Sequence, residues 1–199
     1  HELAHQWFGN KITCGSWKDI WLSEGFATYL SGLVVENFET ENSFTSWNQS
    51  RINSITSQPS GSVYITNNDT TVARVFSSRL SYSKGAMVLH MLRKKLGDDP
   101  FFQSLRDYLS DEDFSYSYAK TDDLKSTIEE STEEDVTEFF DDWIYGEGYP
   151  SYQINWSHNS QGNINFEVSQ SQSHSSVDFF DGPITLVWAF CICYEKFSP

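Results

Sequence analysis

The hydrophobic period of this chain changes once, across Gly146-Glu147-Gly148-Tyr149-Pro150. Before that break, apolar residues recur at helical spacing. From Asp19 to Val35 they form a broad face of Ile20, Trp21, Leu22, Phe26, Ala27, Tyr29, Leu30, Leu33 and Val34. Weaker amphipathy runs over 43–56, a Ser/Asn/Gly-rich loop over 57–72, and a second strong helix from Arg79 to Leu96 with Gly97 as its stop. Pro100 suits the first turn of a helix from Phe101 to Leu109. Thr121 predicts the cap of a short helix with Asp122 and Asp123 in its first turn, and Thr132 the cap of one over Glu133 to Tyr145. Beyond the break the residues alternate. Tyr152, Ile154 and Trp156 face Ile164, Phe166 and Val168 across an Asn159-Ser160-Gln161-Gly162 turn, and a third strand follows Pro183. The fold expected is mainly α for 1–149, followed by a partial antiparallel β-sandwich from 150 to 199. Three strands cannot close a sandwich by themselves.

Charge narrows the function. Of the 199 residues, 13 are Lys or Arg and 28 are Asp or Glu, a formal charge of −15. That argues against nucleic acid, whose binding needs cations, and against docking on an anionic membrane. The longest apolar run, Ile184 to Tyr194, is shorter than the ~20 residues that span a bilayer. Aromatic residues are 16 % of the chain, far too many for a disordered acidic segment. Cys14, Cys191 and Cys193 make neither an ordinary disulfide pattern nor a Cys-x-x-Cys zinc pair. The acidic runs at 111–113, 129–135 and 138–142 lack the spacing of a calcium loop and read as solvated helix faces.

The chemistry lies at the start, in His1-Glu2-Leu3-Ala4-His5. On a helix, residues i and i+4 share a face, so both imidazoles can reach one ion, and Glu2 is near enough to hold a water there. A catalytic zinc keeps three protein ligands and one open position. Glu24, eighteen residues beyond His5 and inside the strongest helix, is the candidate third ligand. Asp19 is a candidate partner for the second nitrogen of a ligand histidine. Lys84 and His90 read as structural.

The motif continues as Gln6-Trp7-Phe8-Gly9-Asn10 and then Trp17-x-Asp19-x-Trp21-Leu22-Ser23-Glu24-Gly25-Phe26-Ala27. Together these resemble the M1 family of zinc aminopeptidases, the gluzincins that include aminopeptidase N and leukotriene A4 hydrolase. Tyr82-Ser83-Lys84-Gly85-Ala86 looks like that family's Tyr-x-Lys-Gly segment. The resemblance implies one Zn2+ held by His1, His5 and Glu24, Glu2 as general base, Tyr82 as donor to the oxyanion, and a peptide substrate. It also implies that residues 1–149 are the helical half of a thermolysin-like catalytic domain. Ser23 stands where the family commonly has Asn.

The family's Gly-x-Met-Glu-Asn segment, which grips a substrate's amino group, does not occur in this sequence, nor does the β-sheet that precedes the motif in the family. Weak activity from this chain alone is therefore expected. A non-catalytic helical binding or assembly module with a vestigial motif is the alternative. Broad apolar helix faces and an unclosed set of strands predict self-association, through the helical face, a strand edge or the Trp188–Pro199 tail.

Overall fold

A computed structural model of the chain describes residues 1–66, 69–159 and 163–184. Its architecture is mainly α. Helix α1 (Trp21–Phe38) runs through the middle, and every residue from Trp21 to Tyr29 is buried. Its first half is mostly apolar all round, as a central position demands, with Ser23, Glu24 and Thr28 as its buried polar residues. Helices α2 (Glu41–Ile55), α3 (Val72–Val75), α4 (Gly85–Leu96), α5 (Asp98–Ser110), α6 (Thr121–Thr132) and α7 (Thr137–Phe140) follow it, with α4 and α2 packed on α1 and α5 packed on α4 and α6. Phe26, Phe101, Leu124, Ile128, Phe139 and Phe140 form the deepest part of one shared core.

The glycines at 25 and 85 let α1 and α4 meet backbone to backbone. A Cβ on Gly25 would lie 3.2 Å from both the Cα and the carbonyl carbon of Gly85. The α4 helix is entered through a π-helical turn, Ser78–Lys84, in which the Gly85 amide donates five residues back to the Leu80 carbonyl. Such wide turns re-aim side chains and concentrate at functional sites.

Several local expectations change. His1–His5 is not an α-helix but leads into a tight 3-10 turn, Ala4–Gln6, capped by Trp7, and Gly9 follows at φ +141°. Thr132 caps no helix. It closes α6, its hydroxyl donating back to the Ile128 carbonyl, and Glu133 turns left-handed at φ 58°. The next turn begins only at Thr137, whose amide donates to Asp135 Oδ1, and a second π-helical turn, Asp141–Tyr145, follows α7. Lys120 rather than Thr121 is the N-cap of α6, with Asp123 accepting from its amide. Thr121 is spent on a tertiary contact instead: its amide and hydroxyl both donate to the buried Asp19, at 2.9 and 2.7 Å.

Two strands far apart in sequence, β1 (Ile12–Cys14) and β2 (Ser117–Ala119), pair in parallel. Local alternation is too short in either to announce a strand. After the break at 146–150, β3 (Pro150–His158) and β4 (Ile164–Gln172) form an antiparallel hairpin in which Ile154 pairs with Val168 and Trp156 with Phe166. Both of its faces are largely exposed. The chain then returns to the helical body, where Phe180 is buried against Trp143 and Asp181 pairs with Lys95 at 2.6 Å. Turn residues 160–162 and the third strand expected after Pro183, from residue 185 on, lie outside the described residues. No helix among the described residues is long and apolar enough to cross a membrane.

Candidate metal centre

His1 and His5 are joined by the turn that replaces the expected helix. The amides of Ala4 and His5 both donate to the His1 carbonyl, at 2.9 and 3.3 Å. That single turn places the two imidazoles on one side, with their rings 4.8 Å apart and perpendicular. Glu24 rises from the first turn of α1 and is buried. The three candidate ligand atoms form a nearly equilateral triangle. His1 Nε2 lies 3.2 Å from His5 Nε2, and Glu24 Oε2 lies 3.3 Å and 3.4 Å from those two nitrogens.

The protonation of His5 follows from its other nitrogen. Nδ1 stands 2.9 Å from the Phe8 carbonyl oxygen, which can only accept. Nδ1 therefore carries a ring proton, and Nε2 is the nitrogen that faces the centre of the triangle. Phe8 is itself held rigid, buried and stacked face to face on Phe26 at 4.1 Å. Gly9 matters here as well, because a Cβ at that position would press on His5 Nδ1 at 3.2 Å. The orienting group expected at Asp19 is thus a correction: the Phe8 carbonyl takes the role, and Asp19 faces Thr121.

Glu24 Oε2 is the decisive atom for a metal. It is buried and accepts no hydrogen bond, and its nearest polar neighbours are the two imidazole nitrogens. A buried carboxylate oxygen left so costs several kcal/mol or more by general estimates. Zinc bonded tetrahedrally at about 2.0–2.1 Å sets its ligands about 3.3–3.4 Å apart. The observed 3.2–3.4 Å edges match that spacing, and His1, His5 and Glu24 are the one group of potential ligands so clustered among the described residues. The donor set fits the ion.

Tyr82 projects from the π-helical turn, and its ring lies nearly parallel to that of His1 at 5.8 Å. Burial, helped by the neighbouring Glu24 and Glu2 carboxylates, pushes its phenol up to about 12, so it is a neutral donor at ordinary pH. Tyr82, Glu2 and His1 line one cleft of about 550 Å3, together with Trp47, Arg51 and Ser78. Lys84, two residues on, turns away from the cleft: its Nζ donates to the carbonyls of Gly61 and Gly146, and burial pushes it down to about 7. Burial likewise lowers His90, which packs between Tyr29 and Phe44. Both are structural.

The family model of the Peptidase family M1 domain matches residues 1–143. The chain belongs to peptidase family M1. Among curated M1 relatives, Aminopeptidase M1-A of Oryza sativa subsp. japonica is 37 % identical over 99 % of this chain and 23 % of its own length. Aminopeptidase M1 of Arabidopsis thaliana is 34 % identical over 98 % of this chain and 22 % of its own. The chain thus spans less than a quarter of these relatives. Among solved structures, a mutant M1 zinc metallopeptidase from Deinococcus radiodurans bound to a Tyr-Ser-Ala substrate superimposes with a TM-score of 0.64 at 30 % identity. That match covers 75 % of this chain and 32 % of the other.

Sequence reasoning missed three features of this chain. The Phe8 carbonyl is a backbone atom without a sequence signal. The Gly25–Gly85 contact had one, a glycine directly after Glu24 and another three residues after Tyr82. Arg51 is one basic residue on a weakly amphipathic helix, and its one signal was Trp47 four residues before it.

Proposed function

We propose that the chain carries the zinc and catalytic groups of an M1 metallopeptidase that hydrolyses peptide bonds, within the helical half of a thermolysin-like domain. The observation that carries the reading is the buried Glu24 Oε2, without a hydrogen-bond partner and 3.3–3.4 Å from two imidazole nitrogens. A non-catalytic module has no need of that arrangement, which disfavours it. His1, His5 and Glu24 would hold one zinc, and the ion supplies Lewis acidity toward a scissile carbonyl.

The chain's own groups do the rest. Glu2, exposed in the cleft, accepts a proton from water and returns it to the leaving amine. Tyr82 donates a hydrogen bond to the oxygen on which negative charge develops, and remains protonated to do so. The Phe8 carbonyl keeps the His5 ring in its tautomer and orientation. These 199 residues align with less than a quarter of the full-length relatives, and no clamp for a substrate amino group occurs in the sequence. Positioning is worth about 7–11 kcal/mol in well-oriented reactions, so turnover from this chain alone should be weak. Self-association is part of the same proposal, since Leu3, Trp7, Val34 and Phe38 expose an apolar groove beside the site.

The test is zinc titration followed by hydrolysis of an aminoacyl chromogenic substrate. One ion per chain is expected, lost in Glu24→Gln, with weak hydrolysis abolished by Glu2→Gln. A chain that takes up no zinc would overturn the reading.

A further inference from the structure

The strongest unassigned feature is Arg51. Arg74, Arg79, Arg93 and Arg106 each donate to a protein acceptor. Arg51 has no hydrogen bond or ion pair among the described residues, and its buried Nε is left without a partner. In a chain of net charge −15, a half-buried guanidinium that meets no carboxylate is anomalous. Its position is nonetheless well supported. The guanidinium carbon sits 5.1 Å over the Trp47 ring. Trp47 lies flat against α1, where a Cβ on Gly32 would come within 2.7 Å of it, and Phe44 stacks on it at 6.1 Å. An arginine spread on an aromatic platform is pre-organised, and its fork matches a carboxylate. Arg51 lines the same cleft as His1, Glu2 and Tyr82.

We propose that Arg51 is a specificity-determining residue that receives a substrate carboxylate on the C-terminal side of the scissile bond. This rests on the metallopeptidase reading above. The sign of the charge sets the direction. A guanidinium repels the ammonium of a peptide's N-terminus, whereas Glu2 in the same cleft does not, so the peptide lies with its amino end away from Arg51. A cleft of about 550 Å3 falls within the size range of small-ligand sites. The carboxylate has two sources, the C-terminus of a short peptide or an acidic side chain, and the two are separable by experiment.

Binding is measured by calorimetry on the full 199-residue chain carrying Glu2→Gln to keep peptides intact, both zinc-loaded and metal-free. The probes are Tyr-Ser-Ala, its C-terminal amide, and Tyr-Glu-Ala amide. Tyr-Ser-Ala or the Glu-containing amide should bind about tenfold or more tightly than Tyr-Ser-Ala amide. Whichever does so identifies the source. Arg51→Met, which keeps the stem on Trp47, should shrink the preference to about twofold or less without changing zinc stoichiometry, and Arg51→Lys should restore part of it. Thermal melting checks that both variants fold. Equal binding of all three probes, no binding of any to a zinc-loaded chain, or a preference that survives Arg51→Met would overturn the proposal. Failure to take up zinc would overturn the metallopeptidase reading, and the metal-free comparison would still decide Arg51.

Discussion

Replacing Gly25 by alanine sets two known effects against each other at one point. Alanine is the better helix former, and in an exposed helix the exchange stabilises by about 0.8–1 kcal/mol. At position 25 the new Cβ would lie 3.2 Å from two backbone atoms of Gly85, and backbone cannot rotate aside as a side chain can. Overpacking a well-filled contact costs about 1–3 kcal/mol. The expected sum is therefore neutral to about 2 kcal/mol destabilising. Gly85→Ala should behave alike, because its Cβ would meet the Gly25 Cα at 3.2 Å. The double variant puts Cβ against Cβ and should cost more than the two added, since contacting sites couple. A function follows from the same contact. Glu24 precedes Gly25 and Tyr82 precedes Gly85 by three residues, so prising α1 from α4 should move Tyr82 away from Glu24 and lower hydrolysis while leaving zinc stoichiometry unchanged, because His1, His5 and Glu24 do not depend on α4. Urea unfolding of the two single variants and the double gives the free energies, and a chromogenic assay the hydrolysis. A Gly25→Ala chain more stable by the full propensity gain, with unchanged hydrolysis, would show that the helices do not meet there.

Three further outcomes are expected. Lys84 has its pKa held at about 7 by burial against 10.5 when free, so above pH 7 the unfolded chain binds the extra proton and this group's contribution to stability grows as pH rises toward 10.5 and is lost as pH falls through 7. Wild type should therefore gain on Lys84→Met from pH 7 to 9.5 in urea unfolding, and a pH-independent difference would refute this. Asp19→Ala strips two Thr121 donors of their acceptor and should cost about 2–4 kcal/mol, less for Asp19→Asn, with zinc stoichiometry unchanged because Asp19 touches neither histidine. Light scattering at micromolar concentration should find self-association, which a charged substitution at Phe38, 84 % exposed, should reduce; a stable monomer would sink that expectation.

What the chain's own order of residues determined was periodic or close in sequence. The apolar face from Ile20 to Val34 announces a central helix, and alternation after Pro150 announces the β3–β4 hairpin, because each pattern repeats within a single element. The triad of His1, His5 and Glu24 was legible as well, from one short motif and one spacing. Ends of elements were less legible. Thr132 has the chemistry of a cap, yet its hydroxyl found the Ile128 carbonyl behind it, and which way a threonine bonds depends on the path of the chain beyond. Only the tertiary structure decided that the Phe8 carbonyl orients His5, that Asp19 serves Thr121 about a hundred residues away, that β1 pairs with β2, and that Arg51 stands unpaired over Trp47. The Asp19 and β1–β2 contacts are set by how distant segments pack rather than by any repeat along one of them, whereas the Phe8 and Arg51 contacts are local and follow from the turn and rotamer each side chain adopts.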